Sequence, residues 1–218
     1  MSMQKTEHDP RHLNVTLDAS SIAAYKSEYA AAFQSALNQV DSAGLERLCD
    51  AILACSDRGG EIFVIGNGGS AAVAEHLCCD WTKGTACKGH PVISSRSLTA
   101  NNALYSAIAN DYGFDAVFDT QIDFFAREGD LLIAISSSGN SANIVNAANR
   151  AKELGIFVAG FTGFQGGALR QIADVSVHVP ISNYGIVEDA HQSVMHVLAQ
   201  FIACRRDAER PAEPLRSE

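Results

Sequence analysis

The stretch Leu131-Leu132-Ile133-Ala134-Ile135-Ser136-Ser137-Ser138-Gly139-Asn140-Ser141 decides the fold. Its first five residues form a short, continuous apolar run, the pattern of a strand buried on both faces. The run breaks abruptly into serines and a glycine, a composition that ends a strand and suits close approach to a ligand. A strand buried on both faces needs parallel neighbours and covering helices, so the chain should alternate the two elements.

It does. Similar runs lie at Glu61–Ile65, Phe157–Phe161 and Val175–Val179. Helical periodicity fills the intervals at about 70–81, 100–110, 115–126, 142–154 and 167–172, with a last helix over about 186–203. Before the first strand, Ile22, Tyr25, Tyr29, Phe33 and Leu37 recur at helical spacing within 19–40, and Leu45, Leu48 and Ile52 within 42–54. The residues predict an α/β fold with a parallel sheet and N-terminal helices. Residues 1–15 read as a polar arm, 16–204 as one domain, and 205–218, with Pro211 and Pro214 among charges, as a disordered tail.

Composition narrows the function. The 218 residues are 47% hydrophobic and 19% charged, ordinary for a globular chain. A net charge of −9 opposes nucleic acid or an anionic membrane as a partner. No apolar run spans a bilayer, and Met1 to Leu13 carry no apolar export segment. Six cysteines without a CxxC pair read as free thiols of a reducing compartment, so a cytoplasmic location is expected.

Two loops follow strands, where parallel sheets bind ligands. Gly66-Asn67-Gly68-Gly69-Ser70 allows tight turning, and Ser70 is placed to cap the next helix; the same residues also read as a plain turn. In Ser136–Ser141, hydroxyls, Gly139 and the start of a helix at Ser141 predict a phosphate site. Neither loop has the lysine of a nucleotide P-loop or the GxGxxG of a dinucleotide site, which favours a small phosphate ester.

GNGGS at 66–70, IANDYGF at 108–114 and ISSSGNSANI at 135–144 resemble the sugar isomerase (SIS) domain family, in particular its phosphoheptose isomerase subgroup. The resemblance implies a flavodoxin-like three-layer sandwich with a five-stranded parallel sheet, a homotetramer with active sites at subunit interfaces, and a phosphosugar substrate. It implies substrate binding by Asn67, Gly68, Gly69, Asn110, Asp111, Ser136, Ser137, Ser138 and Ser141; Ser70 joins them from the loop chemistry, and Glu188 from its match to a family substrate and metal position. It also implies a divalent metal, Zn2+, on His76, Asp80, Glu188 and His196. Here Asp80 stands for a family glutamate and Glu188 for a glutamine.

His76 and Asp80, four apart, share a helix face. Glu188 and His196 are eight apart, roughly 12 Å of helix, so spacing alone pairs Glu188 with His191 instead. The resemblance selects His196. The implied reaction is aldose–ketose isomerisation, sedoheptulose 7-phosphate to D-glycero-D-manno-heptose 7-phosphate, with Asp80 as base and His196 as acid. Other members of the family are non-catalytic phosphosugar sensors or a scaffold for a replication initiator, or isomerise other sugar phosphates.

Overall fold

A computed structural model describes residue 15 and residues 17–209. Two helices lead, α1 (Ile22–Asn38) and α2 (Ser42–Asp57). Asp41 caps α2, its carboxylate accepting from the Ala43 and Gly44 amides. The alternating part runs β1 (Glu61–Gly66), α3 (Gly69–Cys79), a π-helical turn (Asp80–Gly84), β2 (Ser94–Ser97), α4 (Asn102–Tyr112), a 3-10 turn (Phe114–Ala116), α5 (Asp119–Phe125) and β3 (Leu131–Ser136). It continues with α6 (Ala142–Glu153), β4 (Phe157–Thr162), α7 (Gly167–Ile172), β5 (Val175–His178) and α8 (Tyr184–Ala208).

The five strands form one parallel sheet in the order β2-β1-β3-β4-β5. This is the flavodoxin-like order, in which the chain switches direction between β1 and β3. Side chains alternate between the faces. Ile62, Val64, Ile133 and Phe161 pack with Leu48, Ile52, Leu77, Trp81 and Leu198 from the helices of one layer. Phe63, Ile65, Leu132 and Val158 pack with Phe118, Ile122, Ile144 and Leu169 from the other. Full burial of such side chains stabilises by about 1.5–3 kcal/mol each, and the central strand β3 is buried throughout.

Three boundaries differ from the sequence reading. Ser94-Ser95-Arg96-Ser97 is a fifth strand that no apolar run announces; it pairs only with β1 at the sheet edge and needs no second apolar face. Residues 115–126 divide into the 3-10 turn and α5. Helix α8 passes Arg205 and ends at Ala208, because Arg206 is buried and donates to the Thr85 carbonyl and to Ser56 Oγ. The N-terminal arm, apart from residue 15, and residues 210–218 of the tail lie outside the described residues. No described helix is long and apolar enough to cross a membrane.

Candidate functional site

The loops after β1 and β3 meet at the switch point of the sheet. A reciprocal amide pair ties them: Asn67 Nδ2 donates to Asn143 Oδ1 at 2.9 Å, and Asn143 Nδ2 donates to Asn67 Oδ1 at 3.0 Å. Asn143 stands in the first turn of α6 and is buried, so this pair fixes both loops to the helix. The serine loop is also sewn to the loop after β4. Gly163 N donates to Ser137 O at 2.8 Å, and Leu169 N to Gly139 O at 3.0 Å. Gly139 has φ +67°, and an added Cβ would lie 1.9 Å from the Gly166 carbonyl oxygen. Only glycine permits that closeness in the left-handed region.

These loops enclose a cavity of about 130 Å³ lined by Asn67, Ser70, Ser136, Ser137, Ser138, Ser141, Tyr184 and Glu188. Its volume falls below the ~300 Å³ at which pockets take whole drug-sized ligands, and suits one anionic group. Ser141 is the N-cap residue of α6 with no side-chain capping bond; its hydroxyl instead lies 3.3 Å from Ser136 Oγ. The first turn of α6 is therefore without a side-chain cap, and its positive end lies at Ser141, which lines the cavity. Ser137 Oγ is buried there without a hydrogen-bond partner. A buried hydroxyl left unpaired is costly, and a bound phosphate oxygen would satisfy it. Ser70 lies inside the first turn of α3, not at its cap; Gly68, with φ +54°, holds the cap position.

Glu188 enters this cavity from α8 and presses against the backbone of α3. A Cβ on Gly69 would sit 2.4 Å from its Oε2. Burial, and then the neighbouring Asp189, push the Glu188 carboxyl above its ordinary range.

One turn and two turns further along α8 lies a second group. His76 Nε2 is 3.4 Å from Asp80 Oδ2, and His196 Nε2 is 3.2 Å from the same oxygen. The two imidazoles meet edge to face with centroids 5.0 Å apart. Asp80 opens the π-helical turn after α3, whose Trp81 is fully buried and donates Nε1–H to Met195 O at 3.3 Å. That anchor holds Asp80 against His196. One donor atom each from His76, Asp80 and His196 lies within 4.8 Å of the others. Two imidazole nitrogens and one carboxylate make a donor set suited to a divalent metal with a position open to substrate.

The structure does not bring the other implied residues into this group. Glu188 belongs to the serine cavity. Asn110 and Asp111 stand exposed near the end of α4, hydrogen-bonded to each other at 2.8 Å, and do not line the cavity. His191 is fully buried behind the site, donating Nε2–H to the Thr162 carbonyl at 3.2 Å; burial lowers its pKa to about 4. The residue that sequence reasoning passed over is Gln192. Its amide nitrogen lies 2.8 Å from His76 Nδ1 and 3.4 Å from His196 Nε2. Its position midway between Glu188 and His196, four residues from each, was the available signal.

Fold and site together define a parallel α/β protein with a serine-rich loop at the carboxyl edge of its sheet and a histidine–carboxylate group beside it. The chain belongs to the SIS domain family, whose pattern matches residues 25–163. It is 34% identical over 176 residues to a probable phosphoheptose isomerase of Thermoplasma volcanium, covering 81% of this chain and 89% of that protein. It is 38% identical over 153 residues to the phosphoheptose isomerase of Mycobacterium tuberculosis, covering 70% and 78%. The structure of phosphoheptose isomerase GmhA from Neisseria gonorrhoeae superposes with a TM-score of 0.77 at 32% identity, covering 84% of this chain and 97% of that one.

Proposed function

We propose that the protein is a phosphoheptose isomerase, converting sedoheptulose 7-phosphate to D-glycero-D-manno-heptose 7-phosphate. The observation that carries this reading is the placing of two chemistries along one face of α8. The serine cavity receives a phosphate, and the Asp80 carboxylate between two imidazoles works on a carbonyl. From Glu188 to His196 the helix rises about 12 Å. A substrate reaching from one group to the other carries its phosphate and its reactive carbonyl at opposite ends, as a ketose 7-phosphate does.

Isomerisation moves one proton between adjacent carbons through an enediol. Both imidazole contacts fall on Asp80 Oδ2, which leaves Oδ1 to take the proton from the carbon beside the carbonyl. His196, on the other side of Oδ2, delivers a proton to the carbonyl oxygen as the enediol forms. Asp80 then returns its proton to the former carbonyl carbon while His196 takes one back from the neighbouring hydroxyl, which becomes the aldehyde and restores both residues. The Ser137 hydroxyl and the amides at the start of α6 hold the far phosphate and fix the carbon chain. His76, Asp80 and His196 would hold a divalent metal, proposed as Zn2+, which would polarise the sugar oxygens. An Asp80 oxygen or His196 nitrogen engaged by the ion would not carry a proton, so metal binding and proton transfer compete for these two residues.

We further propose a cytoplasmic homotetramer with sites completed across subunits. Val197 and Phe201 are about half exposed on α8 and line an apolar groove with Leu45 and Leu198. Tyr112 and Phe114 are exposed beside Asn110 and Asp111. Such side chains suit a subunit contact, which would carry Asn110 and Asp111 to a neighbour's cavity. The test is a substrate panel of pentulose, hexulose and heptulose phosphates with purified protein, with and without chelator. Heptulose phosphate should turn over best, and Asp80→Asn and His196→Ala should each lose about 10²–10⁴-fold. Full activity in both variants refutes the mechanism, and phosphosugar binding without turnover of any ketose refutes the enzyme.

A further inference from the structure

We infer that Gln192 positions the His76 ring for metal binding, and that Glu188 serves the phosphate cavity and contributes nothing to the metal. The inference deepens the metal-site reading above and rests on it. The family resemblance puts position 188, not 192, among the ligands. The geometry divides the roles differently.

His76 is half exposed on α3, and its ring meets the His196 ring edge to face. Left alone, such a ring samples several orientations, and ordering it opposes binding. The Gln192 amide reaches across from α8 to His76 Nδ1 at 2.8 Å. With Nδ1 held, the ring keeps Nε2 directed at Asp80 Oδ2, 3.4 Å away. A histidine that coordinates through one nitrogen is oriented by a hydrogen bond at the other, and losing that bond costs about 10–100-fold in metal affinity. A glutamine suits both states of the ring. Its NH2 donates to a bare Nδ1, and its carbonyl, after the amide turns over, accepts from Nδ1–H once Nε2 is coordinated.

Glu188 is placed otherwise. Its carboxylate lies against Gly69, at the start of α3, and lines the cavity with Ser137 and Ser141. His76 stands about two turns further along α3, close to 10 Å of helical rise. The replacement of a glutamine by Glu188 therefore leaves an amide at the metal group, one turn along α8.

The experiment is a Zn2+ titration against a chromophoric chelator, without substrate, on the wild-type protein and three variants. Gln192→Leu should weaken Zn2+ by about 10–100-fold. Gln192→Glu, which keeps an acceptor for Nδ1–H and places an anionic donor beside His196, should bind Zn2+ no more weakly than wild type. Glu188→Gln, outside the group of His76, Asp80 and His196, should remain within about threefold of wild type. Thermal unfolding of each metal-free variant, within a few degrees of wild type, confirms the fold. Wild-type affinity in Gln192→Leu, or a loss in Glu188→Gln as large as that in Gln192→Leu, overturns the inference while the metal site stands. A wild-type protein that binds no Zn2+ overturns both. The absence of isomerase activity, with this affinity pattern intact, leaves the inference standing.

Discussion

Substituting Gly139 by alanine separates what the serine loop owes to backbone conformation from what it owes to its neighbour. Gly139 has φ +67°. An alanine there meets the left-handed penalty of roughly 1–2 kcal/mol. Its Cβ would also stand 1.9 Å from Gly166 O and 2.6 Å from Gly166 C. Real contacts of this kind do not fall below 3.0 Å, so the two loops must part by about 1.1 Å. Such a shift stretches the bond from Leu169 N to Gly139 O beyond hydrogen-bond range from its present 3.0 Å, and strains that from Gly163 N to Ser137 O. Losing one or two bonds adds about 1–2 kcal/mol. The total, about 2–4 kcal/mol, lowers Tm by roughly 4–16 °C in a chain of this size. A displacement near 1 Å of the phosphate donors costs on the order of 10²-fold in kcat/KM for the heptulose phosphate.

Gly155→Ala is the control. Gly155 has φ +73°, but nothing stands within 4 Å of an added Cβ. It should show the conformational penalty alone and keep wild-type kinetics. Calorimetry and steady-state kinetics on both variants decide the matter. Equal losses of Tm, with KM for the sugar phosphate unchanged in Gly139→Ala, would refute the argument that these two loops are locked by backbone proximity.

Other outcomes follow from the same geometry. Ser137→Ala removes a buried hydroxyl without a partner; the apoprotein should keep or gain up to about 1 kcal/mol of stability while KM rises at least about tenfold, measured by denaturant unfolding and kinetics. Gly69→Ala places a methyl group 2.4 Å from Glu188 Oε2, so it should raise KM, and pairing it with the shorter Glu188→Ala should recover part of the stability lost, read from a double-mutant cycle. The pKa of His191 is lowered to about 4, so the unfolded chain binds the proton more readily than the folded one. The stabilisation is complete above the ordinary histidine value and disappears as pH falls through 4. About 2 kcal/mol should be lost from this residue between pH 7 and pH 5, and His191→Leu should show a correspondingly flatter stability profile in denaturant titrations.

Much of the architecture was legible because it rests on local rules. Strands β1, β3 and β4 must be apolar on both faces, so Phe63-Val64-Ile65, Leu131–Ile135 and Phe157–Phe161 stand out from any polar context. The loops that follow them carry glycines and serines whose conformational freedom and hydroxyls are properties of the residues themselves. Strand β2 escaped notice for the converse reason. Ser94–Ser97 has no apolar pattern, and its pairing with Glu61–Val64 is decided by the partner it lies beside.

The serine loop was thus read from composition after a strand, and the pair His76–Asp80 from the family resemblance, with four-residue spacing placing both on one helix face. The tertiary structure decided how the face of α8 is shared. Glu188, Gln192 and His196 differ by one helical turn each and are equivalent to any reading of periodicity. They acquire separate contacts only because α3 crosses them, setting the backbone of Gly69 against Glu188 and the ring of His76 against Gln192. Spacing along one helix fixes which side chains share a face, but what each of them touches is fixed by the neighbouring helix packed across it.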